Sequence, residues 1–478
     1  MMWWFIPVAL LFALIVVLCV RAAMFKPKAF VRPEPMDASF DEEAAIEALR
    51  RMVQCKTVSY RDPALEDAAE FDKFQALLPV LFPRVHEVCT LEHIGKRGLL
   101  YCLKGKSDKN PTVYMAHYDV VPADESAWQR PAFTALRENG EIWGRGTLDT
   151  KGTLCAALIA AETLLCDGFV PENDIYFAFG GDEEVAGYDA PAIVDTLHAR
   201  NIRPALVLDE GGAVVENVFP GVSAPCALIG TGEKGMLNLE FSAKSPGGHA
   251  SAPPPHTVVG LLARAVARME SKPFPTHISP PAAEMFDTLG RHSSFAYRLI
   301  FVNLWCFKGV LSAMCKKTGG ELNALLRTTC AFTMMQGGSA LNVLPSEASV
   351  CANLRLMNPD TMETAAQYLK GIVRDENIHI RIIDGNNPSP YSPGNSAGYA
   401  RVRTAIAQTW EDAIVSPYLM VACSDSRHFS RVSDNVLRFS AMALSIDDRK
   451  RIHAHDERVE EGKFLDACRF YLRVIHES

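Results

Sequence analysis

Two rhythms of apolar positions run along this chain, and one segment has neither. Residues 2 to 20, from Met2-Trp3-Trp4-Phe5 through a Leu/Val/Ile-rich run to Val20, carry no charge. A helix of that length reaches ~28 Å, close to the ~30 Å hydrocarbon core of a bilayer. Trp3 and Trp4 suit one membrane interface. No Lys or Arg precedes the run and no small-x-small site follows it directly, which favours a single-pass anchor over residues 1–21 rather than a cleaved signal. Residues 22–40 carry Pro27, Pro33 and Pro35 and read as a linker.

Beyond the linker, Asp41 to Val53 opens with acidic residues and continues with apolar ones at helical spacing. From about 95 to 230, short apolar runs alternate with helical ones. Thr112–Ala116, Ile175–Phe179 and Ala205–Leu208 read as buried strands, and Gly152–Leu165 as a buried helix. That alternation predicts an α/β fold, a mostly parallel sheet flanked by helices. Near Thr231 the pattern changes. Met236–Phe241 and Ala348–Leu356 read as strands and Val258–Met269 as a helix, and the first rhythm resumes after about 385. The order fits a main domain of residues 41–232 and 385–478, interrupted by a smaller α+β domain of 233–384. Residues 295–315 are apolar but broken by Arg298, Asn303 and Lys308, so they read as a buried or interfacial helical insertion rather than a second span.

Composition narrows the class. The 478 residues are 48% hydrophobic and 22% charged, values of a globular chain long enough for two to three domains. With 48 basic against 56 acidic residues and no long basic run, nucleic acid is not an expected partner. Three features place the body on the cytoplasmic side: Arg21, Lys26, Lys28 and Arg32 follow the span, 13 cysteines lie scattered without C-x-x-C spacing, and no usable N-x-S/T sequon occurs.

The candidate chemistry sits where strands end. Thr112–Ala116 runs into His117-Tyr118-Asp119, Ile175–Phe179 into Gly180-Gly181-Asp182-Glu183-Glu184, and Ala205–Leu208 into Asp209-Glu210-Gly211-Gly212. Gly144-Arg145-Gly146-Thr147-Leu148-Asp149 precedes the buried helix. Ligands of open α/β sheets collect at the carboxyl ends of strands, so His117, Asp149, Glu184 and Asp209 are expected on one rim. Imidazole with carboxylates suits zinc, with manganese or cobalt as substitutes. Rival motifs fail: Asp149 stands where a dinucleotide loop needs its third glycine, Gly338-Ser339-Ala340-Leu341 lacks the serine-elbow spacing, and no H-E-x-x-H occurs.

Seven stretches in order, MAHYDVVP (115–122), WGRGTLDTKG (143–152), GGDEEVAG (180–187), LDEGG (208–212), GGHAS (247–251), LNVLP (341–345) and SDSRHF (424–429), give the sequence a resemblance to a known family. It resembles the dinuclear zinc peptidases and amidohydrolases that include glutamate carboxypeptidase, aminoacylase, carnosinase and carboxypeptidase S. The carboxypeptidase S and N-acyl amino acid hydrolase branch is nearest in flavour, from LDEGG, SDSRHF and PSPYSP (388–393).

The resemblance implies two zinc ions, one held by His117 and Asp209, the other by Glu184 and His428, with Asp149 bridging. Asp119 would support His117, as i, i+2 residues of an extended segment point to one side. Glu183 would be the general base toward a water between the ions. His249 would stabilise the oxyanion, and Asn342 and Arg355 would bind a substrate carboxylate. The inserted domain would serve as dimerisation and lid domain of a homodimer. His453 and His455 stay unassigned. Two departures stand out: Ala422-Cys423 replace the usual glycine pair, and the apolar insertion around 295–320 is unusual.

The expected activity is amide hydrolysis of a peptide or an N-acyl amino acid. The alternative is a catalytically silent, membrane-anchored, metal-binding interaction protein on the same fold. Its mark would be loss of Glu183 or of a ligand, and all the expected positions are filled.

Overall fold

The structure, a computed structural model, describes residues 5–478; Trp3 and Trp4 lie outside the described residues. Its main sheet has ten strands. At its centre Ser107–His117 lies parallel between Asn173–Gly180 and Leu206–Asp209, and Val436–Arg438 extends the parallel set. Thr112–Ala116 and Ile175–Phe179 fall inside these strands, and Ala205–Leu208 overlaps Leu206–Asp209 from one residue before it. All three central strands are buried along their apolar lengths, which is why they lack polar alternation. The flanks are antiparallel: Thr90–Ile94 and Gly98–Leu103 close one edge, the latter on Asn173–Gly180. The sheet is thus mostly parallel at its core and mixed at its margins.

Helices cover the sheet. Glu42–Val53 starts at Asp41, whose side chain accepts from the Ala44 backbone N–H, satisfying one of the free amides of the first turn. Lys151–Cys166 is buried almost all round because the terminal helix Glu461–His476 and Glu42–Val53 both pack on it. Even Lys151 is enclosed, its Nζ donating to the Cys55 carbonyl at 2.6 Å. Burial pulls that amine down to about 8.

Cys226–Glu233 belongs to the main sheet, and Gly235–Lys244, one residue later, to a second sheet. This antiparallel sheet has four strands, in the order Thr329–Gln336, Glu347–Leu356, Gly235–Lys244 and Ile378–Asn386. Residues of Gly235–Lys244 alternate between buried and half-buried, as expected for a sheet with one covered face. The helices Val258–Ser271 and Met362–Val373 cover it and form a separate apolar core. The intervening segment behaves differently. Met285, Phe286, Leu289, Phe301 and Leu311 join the core of the main domain. The apolar insertion comprises two helices, Phe295–Phe301 and Leu304–Thr318, meeting at 103° around the fully buried Asn303. The N-terminal apolar stretch is a helix, Phe5–Met24, with most of its side chains exposed.

At the crossing between the two sheets, Glu233 and Arg438 form an ion pair of 3.0 Å, both nearly without exposure. The same Glu233 oxygen accepts from the backbone N–H of Ser424 at 3.1 Å. Removing one partner leaves the other charge buried and uncompensated. Glu233→Ala is therefore expected to cost ~3–5 kcal/mol of stability, read as a lowered Tm of the purified full chain. A Tm equal to wild type would mean that the pair does not hold this crossing.

Candidate metal centre

The site is built around one carboxylate. His117 ends its strand, and two residues later Asp119 is fully buried. The His117 Nδ1 lies 3.0 Å from the Asp119 carbonyl oxygen and 3.3 Å from Asp119 Oδ1. With Nδ1 engaged there, Nε2 faces the cleft. Asp119 also holds the neighbouring turn: Oδ1 accepts from the Glu183 N–H and Oδ2 from the Glu184 N–H, each at 3.1 Å, while Ser59 Oγ donates to Oδ2 at 2.7 Å. Adjacent residues of a strand face opposite ways, but Glu183 and Glu184 lie in a short 3₁₀ turn, Glu183–Val185, which presents both to one space.

Asp149 stands opposite. Its Oδ1 is 3.1 Å from His117 Nε2, and its Oδ2 is 2.9 Å from His453 Nε2. His453 Nε2 is also 3.1 Å from Glu184 Oε2. Glu210 Oε1 lies 3.5 Å from His117 Nε2. Two sets of donor atoms result, His117 with Asp149 and Glu184, and His117 with Glu183 and Glu210, each with all atoms within 4.8 Å of one another.

The structure thus brings together His117, Asp119, Asp149, Glu183 and Glu184; Asp209 borders the same cleft beside His117, Glu183 and Glu210, with its carboxylate engaged by backbone, and His428 stands apart. Asp209 is the last strand residue and its Oδ2 accepts from the Ser426 N–H at 3.0 Å, while Glu210, one residue on, turns to the cluster. Strand neighbours point to opposite faces, so the choice between Asp209 and Glu210 rests on phase, which motif reading does not supply. His428 lies in the turn Asp425–Arg431, packed on the helix Asp189–Ala199. Its Nε2 is buried without a partner, and burial next to Arg427 and Arg431 pushes the imidazole down to about 4. The imidazole at the cluster belongs to His453, which sequence reading left unassigned. Its backbone is left-handed, with φ 61°.

One further residue explains that placement. Glu457, fully buried, follows His453 by one helical turn's worth of chain. Its Oε1 accepts from the Gly146 and Leu148 N–H groups at 3.0 and 2.8 Å, and its Oε2 pairs with Arg145 at 2.6 Å. It clamps the loop carrying Asp149 onto the segment carrying His453.

The electrostatics fit a cation. Burial raises Glu183 well above its ordinary range, with Asp425, Glu210 and Glu184 adding repulsion against the opposing pull of His117. Burial and Asp149 push Glu210 up to about 8. Burial would raise Asp149 too, but hydrogen bonds from His117 and His453 hold it below the usual carboxylate range. Hydrogen bonds to Asp149 and Glu184 raise His453 to about 10. Glu184 Oε1 is buried with no partner. Crowded carboxylates, two imidazoles and an unpartnered oxygen form a donor set suited to zinc-like divalent ions.

The three residues expected from the inserted segment, His249, Asn342 and Arg355, lie outside this cluster. His249 and Asn342 share a small ribbon in which Gly248–His249 pairs with Val343–Leu344 and the Ala250 N–H donates to the Asn342 carbonyl at 3.0 Å. His249 is exposed, its Nδ1 2.7 Å from Ser251 Oγ. Arg355, on Glu347–Leu356, donates from NH1 to Cys423 Sγ at 3.4 Å. Cys423 occupies one position of the replaced glycine pair, so that departure meets the guanidinium directly.

Carboxylates and an imidazole gathered at the strand ends of an α/β sheet, with His453 from a neighbouring loop, form a setting for a divalent metal ion. Residues 113–477 match the profile of Peptidase family M20/M25/M40, and the chain belongs to that family. It is 34% identical over 474 residues to "Probable carboxypeptidase S-like 2" of Dictyostelium discoideum, covering 96% of this chain and 90% of that protein. It is 33% identical over 448 residues to "N-fatty-acyl-amino acid synthase/hydrolase PM20D1" of Xenopus tropicalis, covering 92% and 87%. Among solved structures, the M20 family metallo-carboxypeptidase Sso-CP2 of Sulfolobus solfataricus shares the fold with a TM-score of 0.68 at 18% identity, over 92% of this chain and 99% of that one. Human carnosine dipeptidase 1 does so with a TM-score of 0.62 at 12% identity, over 91% and 96%.

The two histidines can be separated experimentally. His453→Ala is expected to lose bound metal after dialysis at micromolar free zinc, and His428→Ala to retain it, by elemental analysis of the full chain in detergent. The reverse pattern would return the ligand role to His428.

Proposed function

We propose that the protein is a membrane-anchored, two-zinc hydrolase that cleaves the amide bond of a peptide or an N-acyl amino acid. The observation that carries this reading is the division of Asp149: one oxygen faces His117 and the other faces His453, whose Nε2 also meets Glu184. A carboxylate so divided suits a bridge between two sites. His117 and Glu210 would hold one ion, and His453 and Glu184 the other. Ions there would supply Lewis acidity toward the substrate carbonyl and make a water acidic enough to lose its proton near neutrality.

The remaining work falls to protein groups. Glu183 Oε takes the proton from the attacking water and returns it to the leaving nitrogen, so that the C–N bond breaks and an acid and a free amine form. Asp119 fixes both the His117 ring and the Glu183 backbone, holding base and ligand in one frame. His249 donates to the carbonyl oxygen as negative charge develops. Arg355 and Asn342 bind the substrate carboxylate. His249 and Asn342 sit on an exposed ribbon, which supports their delivery by domain closure or by the partner of a homodimer formed through the second domain. Manganese or cobalt could replace zinc. The helix Phe5–Met24 would anchor the chain in a membrane, and the basic residues after it favour a cytoplasmic body.

Both kinds of substrate have support from relatives named for carboxypeptidase and for fatty-acyl-amino acid hydrolysis. Incubating the zinc-loaded full chain with a panel of dipeptides and N-acyl amino acids, and identifying products by mass, separates them. No hydrolysis of either class would end this reading.

Glu183→Gln is expected to retain metal but lose ~10²–10⁴-fold in kcat; near-normal turnover would remove the residue as base. For His249, mixing His249→Ala with Glu183→Ala under subunit exchange tests action across a dimer. Recovery to roughly a quarter of wild-type activity is expected, because about half the dimers are mixed and each has one intact site. No recovery despite proven exchange would mean that His249 serves its own subunit or none.

A further inference from the structure

The N-terminal helix does not project freely from the body. At its C-terminal end Arg21 donates from Nε to Asn303 Oδ1 at 2.9 Å and from NH2 to the Val302 carbonyl at 3.0 Å. Asn303 answers with Nδ2 to the Leu18 carbonyl at 3.2 Å, within the apolar run. Ala22 is fully buried, and Phe25 is buried beneath the Arg291 guanidinium, which lies 4.4 Å from its ring centre. Lys28 pairs with Asp287 at 3.0 Å. The base of the helix is thus clasped by the helical insertion, and its direction is set by the body.

Asn303 is also the corner where the insertion bends. Two residues beyond it the helix Leu304–Thr318 turns outward a face that no described part of the chain covers. Trp305 is 64% exposed, Val310 67% and Met314 50%, with Cys306 and Ala313 between them also exposed. Lys308 lies to one side of this face, and Lys316 and Lys317 close its C-terminal end. Large apolar side chains bordered by lysines are the pattern of a helix lying in a membrane interface, where the apolar side enters the acyl boundary and the ammonium groups stay among headgroups. A Trp at such a depth is favourable.

We propose that Leu304–Thr318 is a second membrane contact, lying in the interface of the same bilayer that Phe5–Met24 spans. The occupant of the face is lipid because the face begins beside Leu18 and Arg21, where the apolar run gives way to charge. A bilayer around the first helix has its boundary at that level. Together the two contacts fix the orientation of the catalytic body on the surface, where a single flexible tether would leave it free to tumble. The inference rests on the anchor reading of Phe5–Met24 given above.

The test uses the full chain reconstituted in phosphatidylcholine–phosphatidylserine vesicles that carry a clickable, chain-labelled phosphatidylcholine. Photoreactive p-benzoylphenylalanine replaces Leu11, Trp305, Val310 or Leu341, one at a time. Leu11 reports the anchor, and Leu341, fully exposed beside the small ribbon, is the aqueous control. Expected are lipid adducts at 11, 305 and 310 several-fold above those at 341. Adducts at 11 without adducts at 305 and 310 would overturn the second contact and leave the anchor standing. No adduct at 11 would overturn the anchor and the proposal with it. Labelling at 341 equal to that at 305 would likewise overturn it, as would protein–protein adducts at 305 and 310 in place of lipid.

Discussion

The buried carboxylate of Asp119 is the constraint on which the site depends. It meets the His117 ring and the backbone amides of Glu183 and Glu184, and a serine hydroxyl donates to it as well. These groups come from segments that are remote in sequence and adjacent in the sheet, since Ser107–His117 pairs with Asn173–Gly180. A buried anion is tolerated only when its lone pairs are met, and here each is met by a group whose position matters for chemistry. Replacing that carboxylate would free an imidazole and a glutamate turn at once.

Glu457 repeats the device on the other side of the cleft. Its two oxygens bind Arg145 and the amides before Asp149, so a residue near the end of the chain shapes a loop some three hundred positions earlier. Glu233 and Arg438 make a third such link, where the chain leaves the main sheet for the second one. Each is a charge removed from water and satisfied by partners from another segment. Such groups add little net stability, but once present they penalise any arrangement that separates them. The rim of strand ends becomes a site because these carboxylates make its geometry the only well-satisfied one.

The second sheet has its own core and carries Arg355, while a separate small ribbon holds His249 beside Asn342. The stretch from Pro280 to Thr318, between its first and second strands, packs instead against the main core and clasps the base of the N-terminal helix. A chain stretch that reads as one insertion therefore holds two bodies with different attachments. One has a core of its own, and the other ties the main domain to the apolar helix.

Periodicity alone determined the elements of this protein. Continuous apolar runs marked the central strands because both faces of a parallel sheet are buried, and the alternation in Gly235–Lys244 marked a sheet with one covered face. Residue type at the strand ends pointed to His117, Asp149, Glu184 and Asp209 on one rim, and the family resemblance added Asp119 and Glu183. Only the tertiary structure sets Glu210, one step of strand phase from Asp209, 3.5 Å from the His117 ring, and places His453, not His428, 2.9 Å from Asp149. Each of those histidines sits beside acidic and basic neighbours in sequence, and nothing local says which ring reaches Asp149. The answer lies in a hydrogen-bonded loop closed by Glu457, a long-range contact that leaves no periodic trace in the sequence.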